Sequence, residues 1–281
     1  DDVDKLNSSL RKLSEEDPTF TIRTDDETGQ TIISGMGELH LEVLTDRLKR
    51  EFNIECSKGK PQVAYKEAVT NTVVHREIYK KQTGGKGRFA DITIEVGPAD
   101  DDIRGLQFID DIRGGALSKE YIHAVEKGFK SAMLNGVLAG FQLENLKVRL
   151  IEGSEHPVDS DALSFEAAAG IAFREACKKA GPTLLEPIMR VVVTTPDDYV
   201  GEVSSDLNKR RGQMEGISTL NRLQEVRAKV PLAEMFGYVT ILRTLTSGRG
   251  NANLEFSHYA VLPKDILDDV LYKVKGYVVN Y

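Results

Sequence analysis

Cysteine, tryptophan and long apolar runs are what this 281-residue chain has least of. Its two cysteines, Cys56 and Cys177, are too few and too far apart for a disulfide framework, which fits a reducing, cytoplasmic compartment. Each lies in an apolar or helical context and reads as a small core residue. No apolar run approaches the roughly 20 residues of a membrane span, and no basic-then-apolar leader opens the chain, so neither membrane nor export is expected. Positive charge is also short, with 37 Lys and Arg against 44 Asp and Glu. That balance argues against phosphate binding spread over the whole surface.

Catalytic and nucleotide signatures are equally scarce. There is no P-loop, which needs G-x-x-x-x-G-K followed by Ser or Thr. Gly85-Lys-Gly87-Arg-Phe-Ala90 formally matches a dinucleotide fingerprint, but strands rather than strand and helix flank it. His40 and Glu42 form an H-x-E pair without the C-x-x-C that a zinc deaminase needs. His75, His123 and His258 have no spaced partner. The chain is therefore expected to hold no catalytic site, no metal and no cofactor of its own.

What is present is ordinary globular material: 40% hydrophobic and 29% charged residues, in a length that suggests two or three domains. Leu6, Leu10 and Leu13 mark a helix that stops at Asp17-Pro18. Strands follow over Thr19 to Arg23 and Gln30 to Ser34 around a turn at 25–29. A helix then carries Leu41, Leu44, Leu48 and Phe52, with acids early and bases late as its dipole favours. A strand from Asn53 to Ser57 leads to the breaker Gly59-Lys60-Pro61. This α-β-β-α-β order fits a split βαβ ferredoxin-like domain over 1–64 without its first strand. The absence of an initial methionine suggests a piece of a longer chain.

From Tyr65 the pattern turns to long strands, Glu67 to Tyr79, Arg88 to Val96 and Leu106 to Ile112, with a basic hairpin tip at 82–88. A helix starting near Ser118 carries Ile122, Val125 and Phe129 and ends at Gly136. The alternating strand Leu146, Val148, Leu150 feeds Gly153-Ser154-Glu155-His156-Pro157-Val158-Asp159-Ser160-Asp161. Ser160 or Asp159 is expected to cap the Ala-rich helix over 162–180, which Gly181-Pro182 closes. Pro157 and Gly153 hold His156 at an exposed apex, suited to contact with a partner. The last third reads β-α-β-β-α-β over Leu185 to Val261, with a closing helix from Pro263 to Lys275. Lys80-Lys81 with Lys86 and Arg88, Arg174 with Lys178-Lys179, and Lys209-Arg210-Arg211 are local basic clusters.

Several stretches resemble the C-terminal half of the bacterial elongation factor G family of translational GTPases. They are Ile33-Ser-Gly-Met-Gly-Glu-Leu-His-Leu-Glu-Val, Arg50-Glu-Phe-Asn, Gly59-Lys-Pro-Gln-Val-Ala-Tyr, Phe108-Ile-Asp-Asp-Ile-Arg-Gly-Gly, Leu184-Leu-Glu-Pro-Ile-Met and Val230-Pro-Leu-Ala-Glu-Met-Phe-Gly-Tyr. The resemblance implies an α+β chain of three domains. Two ferredoxin-like split βαβ domains, III at 1–64 and V at 182–281 with a C-terminal helix, flank an elongated domain IV at 65–181. That middle α/β domain would resemble part of a small-subunit ribosomal protein and contain a left-handed crossover. It also implies the ribosome as partner. The tip of domain IV, Gly153, Ser154, Glu155, His156, Pro157, Val158 and Asp159 with Gly114, Gly115 and the segment to Tyr121, would enter the decoding site beside tRNA and mRNA. Lys209, Arg210 and Arg211 would face ribosomal RNA near the stalk base. GTP and Mg would belong to upstream domains, in a factor that is monomeric off the ribosome. Where the family commonly has His-Asp-Val-Asp, this chain has His156-Pro157-Val158-Asp159. That departure keeps in view a paralogue specialised for ribosome recycling; a tetracycline ribosomal protection protein is a further alternative, against which the retained tip pattern argues. A stand-alone enzyme using His156 as a base is a third.

Overall fold

The computed structural model describes residues 2–24, 31–35, 38–55, 63–82, 87–101 and 103–275. Cys56, the turn at 25–29, the Gly59-Lys60-Pro61 breaker and Lys86 lie outside the described residues. The chain divides into two compact units, one built from 1–62 with 236–238, the other from the remainder.

In the first unit, α1 (Asp2–Glu16) and α2 (Glu38–Phe52) accompany an antiparallel pair, β1 (Thr21–Thr24) and β2 (Thr31–Ser34), in which Thr21 faces Ser34. Leu10, Leu13, Phe20, Leu44 and Leu48 are buried together, as the helical spacing requires. The chain leaves α1 at Asp17, whose carboxylate accepts from the Thr19 amide at 2.9 Å and lies 2.8 Å from His40 Nε2. The expected strand from Asn53 is not formed over 53–55. Asn53 takes the left-handed φ of 51° and Ile54 N–H donates back to Leu48, a helix stop rather than a strand start.

The second unit holds two sheets. One has the order β4-β5-β7-β6, from Val73–Lys81, Arg88–Pro98, Leu146–Ser154 and Leu106–Asp110, with β6 parallel to β7 and the other pairs antiparallel. Two helices, α3 (Lys119–Ala132) and α4 (Ala162–Lys179), cover it. Ile92, Ile94 and Val96 meet Leu146, Val148 and Leu150, all fully buried, against Phe129, Phe165 and Phe173. Cys177 joins this core, and burial pushes its thiol up to about 12, so it acts as a small apolar residue.

The other sheet has the order β11-β8-β10-β9, from Asn251–Val261, Pro182–Thr195, Leu223–Pro231 and Gln213–Leu220. With α5 (Val200–Lys209) and α6 (Tyr238–Leu245) inserted between strands, this is the β-α-β-β-α-β order of a split βαβ domain. The chain after β10 forms a 3₁₀ turn, Leu232–Glu234, and then α6. Gly237, at φ 72°, separates the two. A closing helix, α7, spans Lys264–Lys275.

The expected single strand from Glu67 to Tyr79 is two strands. β3 (Lys66–Val69) pairs with the start of β8, Lys66 opposite Leu185, while β4 starts at Val73 and belongs to the other sheet. The mixture of segregated helices and largely antiparallel sheets makes the chain α+β.

Candidate functional site

The stretch 153–161 leaves β7 and enters α4 at one end of the β4-β5-β7-β6 sheet. Val158 is 62% exposed and the His156 side chain 51%, so the apex faces solvent as the flanking Gly and Pro predict. Pro157, Val158 and Asp159 form the turn itself.

A net of hydrogen bonds fixes that turn. Ser160 Oγ accepts from the His156 amide at 2.8 Å and donates to the Phe89 carbonyl at 2.9 Å, while Ser160 N–H closes back on the His156 carbonyl at 3.2 Å. His156 Nδ1 accepts from the amides of Val158 at 3.3 Å and Asp159 at 3.2 Å. Nδ1 is thereby an acceptor, which leaves the ring proton on Nε2 in the neutral imidazole, and Asp159 Oδ2 lies 3.5 Å from the same nitrogen, placed to pair with the ring when it is protonated. The ring stands edge-on to Phe89, with centroids 6.2 Å apart.

Asp159 ties the turn to the neighbouring β4–β5 hairpin. Its Oδ1 accepts from the Gly87 amide at 3.1 Å, and its carbonyl accepts from Phe89 N–H at 2.8 Å. The hairpin brings cations: Lys80, Lys81 and Arg88 are exposed, and Lys80 Nζ lies 5.5 Å from the Phe89 centroid. Glu155, Asp159 and Asp161 make the turn itself acidic, so positive charge at this end comes from the hairpin and not from the loop.

The base of the tip is equally specified. Arg76 chelates Asp91 through Nε and Nη2 at 3.0 and 2.7 Å, which holds the Asp91 carboxyl below its usual range, and Ser154 Oγ adds a contact at 3.3 Å. Tyr121 stacks on Phe165 at 4.6 Å and donates to the Ser160 carbonyl at 3.3 Å. A Cβ on Gly153 would come within 2.3 Å of Leu117 Cδ1, so the segment after Gly114-Gly115 lies directly against the tip strand. Gly114 and Gly115 take φ of 66° and 69° in open space, a left-handed region that glycine adopts without a Cβ penalty.

The N-cap of α4 is Asp161, not Ser160 or Asp159: Asp161 Oδ1 accepts from Ser164 N–H at 2.7 Å. Ser160 and Asp159 are committed to Phe89 and Gly87 instead. Phe89, Arg76 and Asp91 are the tip residues that sequence reasoning passed over, although the Arg88-Phe89 pair beside the basic hairpin was a visible signal.

Lys209, Arg210 and Arg211 close α5, and only Lys209 is exposed. Arg210 Nε donates to Asp206 at 2.7 Å and its Nη1 to the Glu234 carbonyl. Arg211 clamps Glu186 through both Nη atoms at 2.8 Å and reaches Glu234 at 3.1 Å, contacts that raise its pKa. The two arginines expected to face RNA are thus part-exposed and engaged by acidic and carbonyl groups of their own domain. Among the described residues no group of three or more His, Cys, Asp or Glu side chains is placed to hold a metal, and no helix is long and apolar enough to cross a membrane.

Comparison with known proteins places these features together. Residues 1–60 match the family description "Elongation Factor G, domain III", 61–181 match "Elongation factor G, domain IV", and 183–270 match "Elongation factor G C-terminus". The chain is 58% identical over 275 residues to elongation factor G of Amoebophilus asiaticus, covering 98% of this chain and 39% of that protein. It is 54% identical over 279 residues to elongation factor G of Cytophaga hutchinsonii, covering 99% of this chain and 40% of that protein. A crystal structure of a Thermus thermophilus protein superposes with a TM-score of 0.83 at 39% identity, covering 98% of this chain and 41% of that one. The chain spans about two fifths of the length of these relatives.

Proposed function

The chain belongs to the elongation factor G family, and from that membership we propose that it is the ribosome-engaging part of a translocation factor acting in the cytoplasm. The 153–161 tip enters the decoding site as tRNA and mRNA move and occupies the vacated position. Forward movement is favoured because the tip binds the moved state better than the unmoved one, and only such a difference shifts an equilibrium. GTP and its magnesium belong to other parts of the full-length factor, which is monomeric off the ribosome.

The observation that carries this reading is the tip's construction. Two loops are cross-linked by Asp159 and Ser160, with His156 at the outer point and exposed Lys80, Lys81 and Arg88 alongside. A rigid apex with an outward imidazole N–H and a cationic flank suits an acceptor-rich RNA surface. Around α5, exposed Lys209 is the member of its trio best placed for phosphate, with Arg210 and Arg211 shaping the turn behind it. The relatives carry the name elongation factor G, which gives no support to the recycling or tetracycline-protection readings.

The test is His156→Ala in the full-length factor. Removing one positioned donor should slow mRNA movement on the ribosome by about tenfold, while ribosome-stimulated GTP hydrolysis stays within about twofold. Equal loss of both activities, or loss of neither, would count against a tip that acts on movement.

A further inference from the structure

Asp159 makes three hydrogen bonds in the tip, two of them across to the neighbouring hairpin. Its side chain takes the Gly87 amide, its carbonyl takes the Phe89 amide, and its own N–H goes to His156 Nδ1. The first two bonds join residues separated by about 70 positions in sequence, so local turn formation does not account for them. Gly87 is shaped to the contact: a Cβ there would sit 3.1 Å from Asp159 Cγ and 3.2 Å from each carboxylate oxygen. Ser160 Oγ, bridging the His156 amide and the Phe89 carbonyl, closes the same ring from the other side.

We infer that Asp159 is the positioning residue of the tip: it locks the 153–161 turn to the end of the β4–β5 hairpin and sets the orientation and tautomer of His156. The inference rests on the tip being the working surface proposed above. Its content is that the carboxylate acts as a hydrogen-bond acceptor for Gly87 and not as a charge presented to the partner. An unpaired anion at the apex would oppose RNA phosphate, whereas one turned inward onto an amide leaves the hairpin cations to face outward. His156 Nδ1 is occupied by the main-chain amides of Val158 and Asp159, with Asp159 Oδ2 3.5 Å away, so a partner meets the Nε2 side of the ring.

The test compares Asp159→Ala, Asp159→Asn and His156→Ala in the full-length factor, with two readouts. Amide hydrogen exchange at Gly87 and Phe89 reports the lock directly. Ribosomal mRNA movement, set against GTP hydrolysis, reports its use. Asp159→Ala should speed exchange at Gly87 and slow movement by about tenfold, the effect of losing one positioning hydrogen bond, with GTP hydrolysis retained. Asp159→Asn keeps a carbonyl acceptor and should restore both. The inference is overturned if the asparagine variant is as slow as the alanine variant, which would make the charge decisive, or if alanine leaves the Gly87 amide as protected as before. Should His156→Ala leave movement unchanged while the exchange pattern follows expectation, the functional reading of the tip fails and the lock itself stands.

Discussion

Asp17 collects three donors where the chain leaves α1: the Thr19 hydroxyl, the Thr19 amide at 2.9 Å and His40 at 2.8 Å. Led by the two Thr19 hydrogen bonds and then His40, they lower its pKa from 3.8 to about 2. A carboxylate whose folded pKa lies below its unfolded one stabilises the fold fully above the unfolded value and loses that contribution as pH falls towards the folded one. The window here runs from about pH 4 down to about pH 2. Asp17→Asn removes this titration, so urea midpoints of the variant should fall less steeply than wild type across that window. Parallel decline of the two would show that other groups carry the acid sensitivity. At the same scale, His156 was legible as an exposed apex because Gly153 and Pro157 are local signals. Asp159 was not legible as a lock, and Asp161 was not separable from its neighbours as the cap. Three adjacent polar residues all satisfy the capping pattern, and what sorts them is Gly87 and Phe89, distant in sequence.

Helices and strands follow the same division between local and distant causes. The periodicity of Leu6, Leu10 and Leu13, or of Ile122, Val125 and Phe129, is intrinsic to the segment and places α1 and α3 correctly. The run from Glu67 to Tyr79 is rich in Val, Thr and Ile, with Asn71 as its one local turn signal. Its break at 70–72 comes from the amides of Thr70 and Asn71 turning onto the Ala180 carbonyl, a tertiary event. The close approach of α3 and α4 is likewise a pair property. A Cβ on Gly128 would lie 2.6 Å from the Glu166 carbonyl oxygen and 2.8 Å from the Ala169 Cβ. Gly128→Ala must therefore push the helices apart, although alanine is the better helix former, and should cost about 1–3 kcal/mol in urea titrations. Adding Ala169→Gly should recover little, because the nearer obstacle is backbone. Full recovery would mean that side-chain crowding alone sets the spacing.

On the scale of the molecule, β3 is paired into the β8 sheet, while Val69 at its end is buried in the core under the β4-β5-β7-β6 sheet. Its backbone pairs with the start of β8, and the Glu67 side chain turns the other way, fully buried, to accept from three amides: Leu138 at 2.8 Å, Ala139 at 2.6 Å and Phe141 at 3.1 Å. Its main chain adds bonds to Gln142 and Glu144, so the segment after α3 is folded around one carboxylate. Gly136 is closed to any side chain, since a Cβ there would lie 2.2 Å from Glu67 Oε2. Both oxygens are acceptors, with Oε2 facing Leu138 and Oε1 facing the other two amides. Glu67→Ala strips three donors of their acceptor, the buried Leu138 amide among them, a loss of about 3 kcal/mol or more. Glu67→Gln preserves the volume but must aim its NH₂ group at one of those donor sets. It should therefore cost nearly as much as alanine, unlike an ordinary surface Glu-to-Gln change. Because β3 pairs with β8 and its Val69 packs in the core under β7, amide protection in β7 and β8 should fall together in either variant. Urea titration and hydrogen exchange on the same proteins check both points. A glutamine variant as stable as wild type would mean that one acceptor oxygen suffices, and loss of protection in β7 alone would mean that β3 does not join the sheets into one cooperative body.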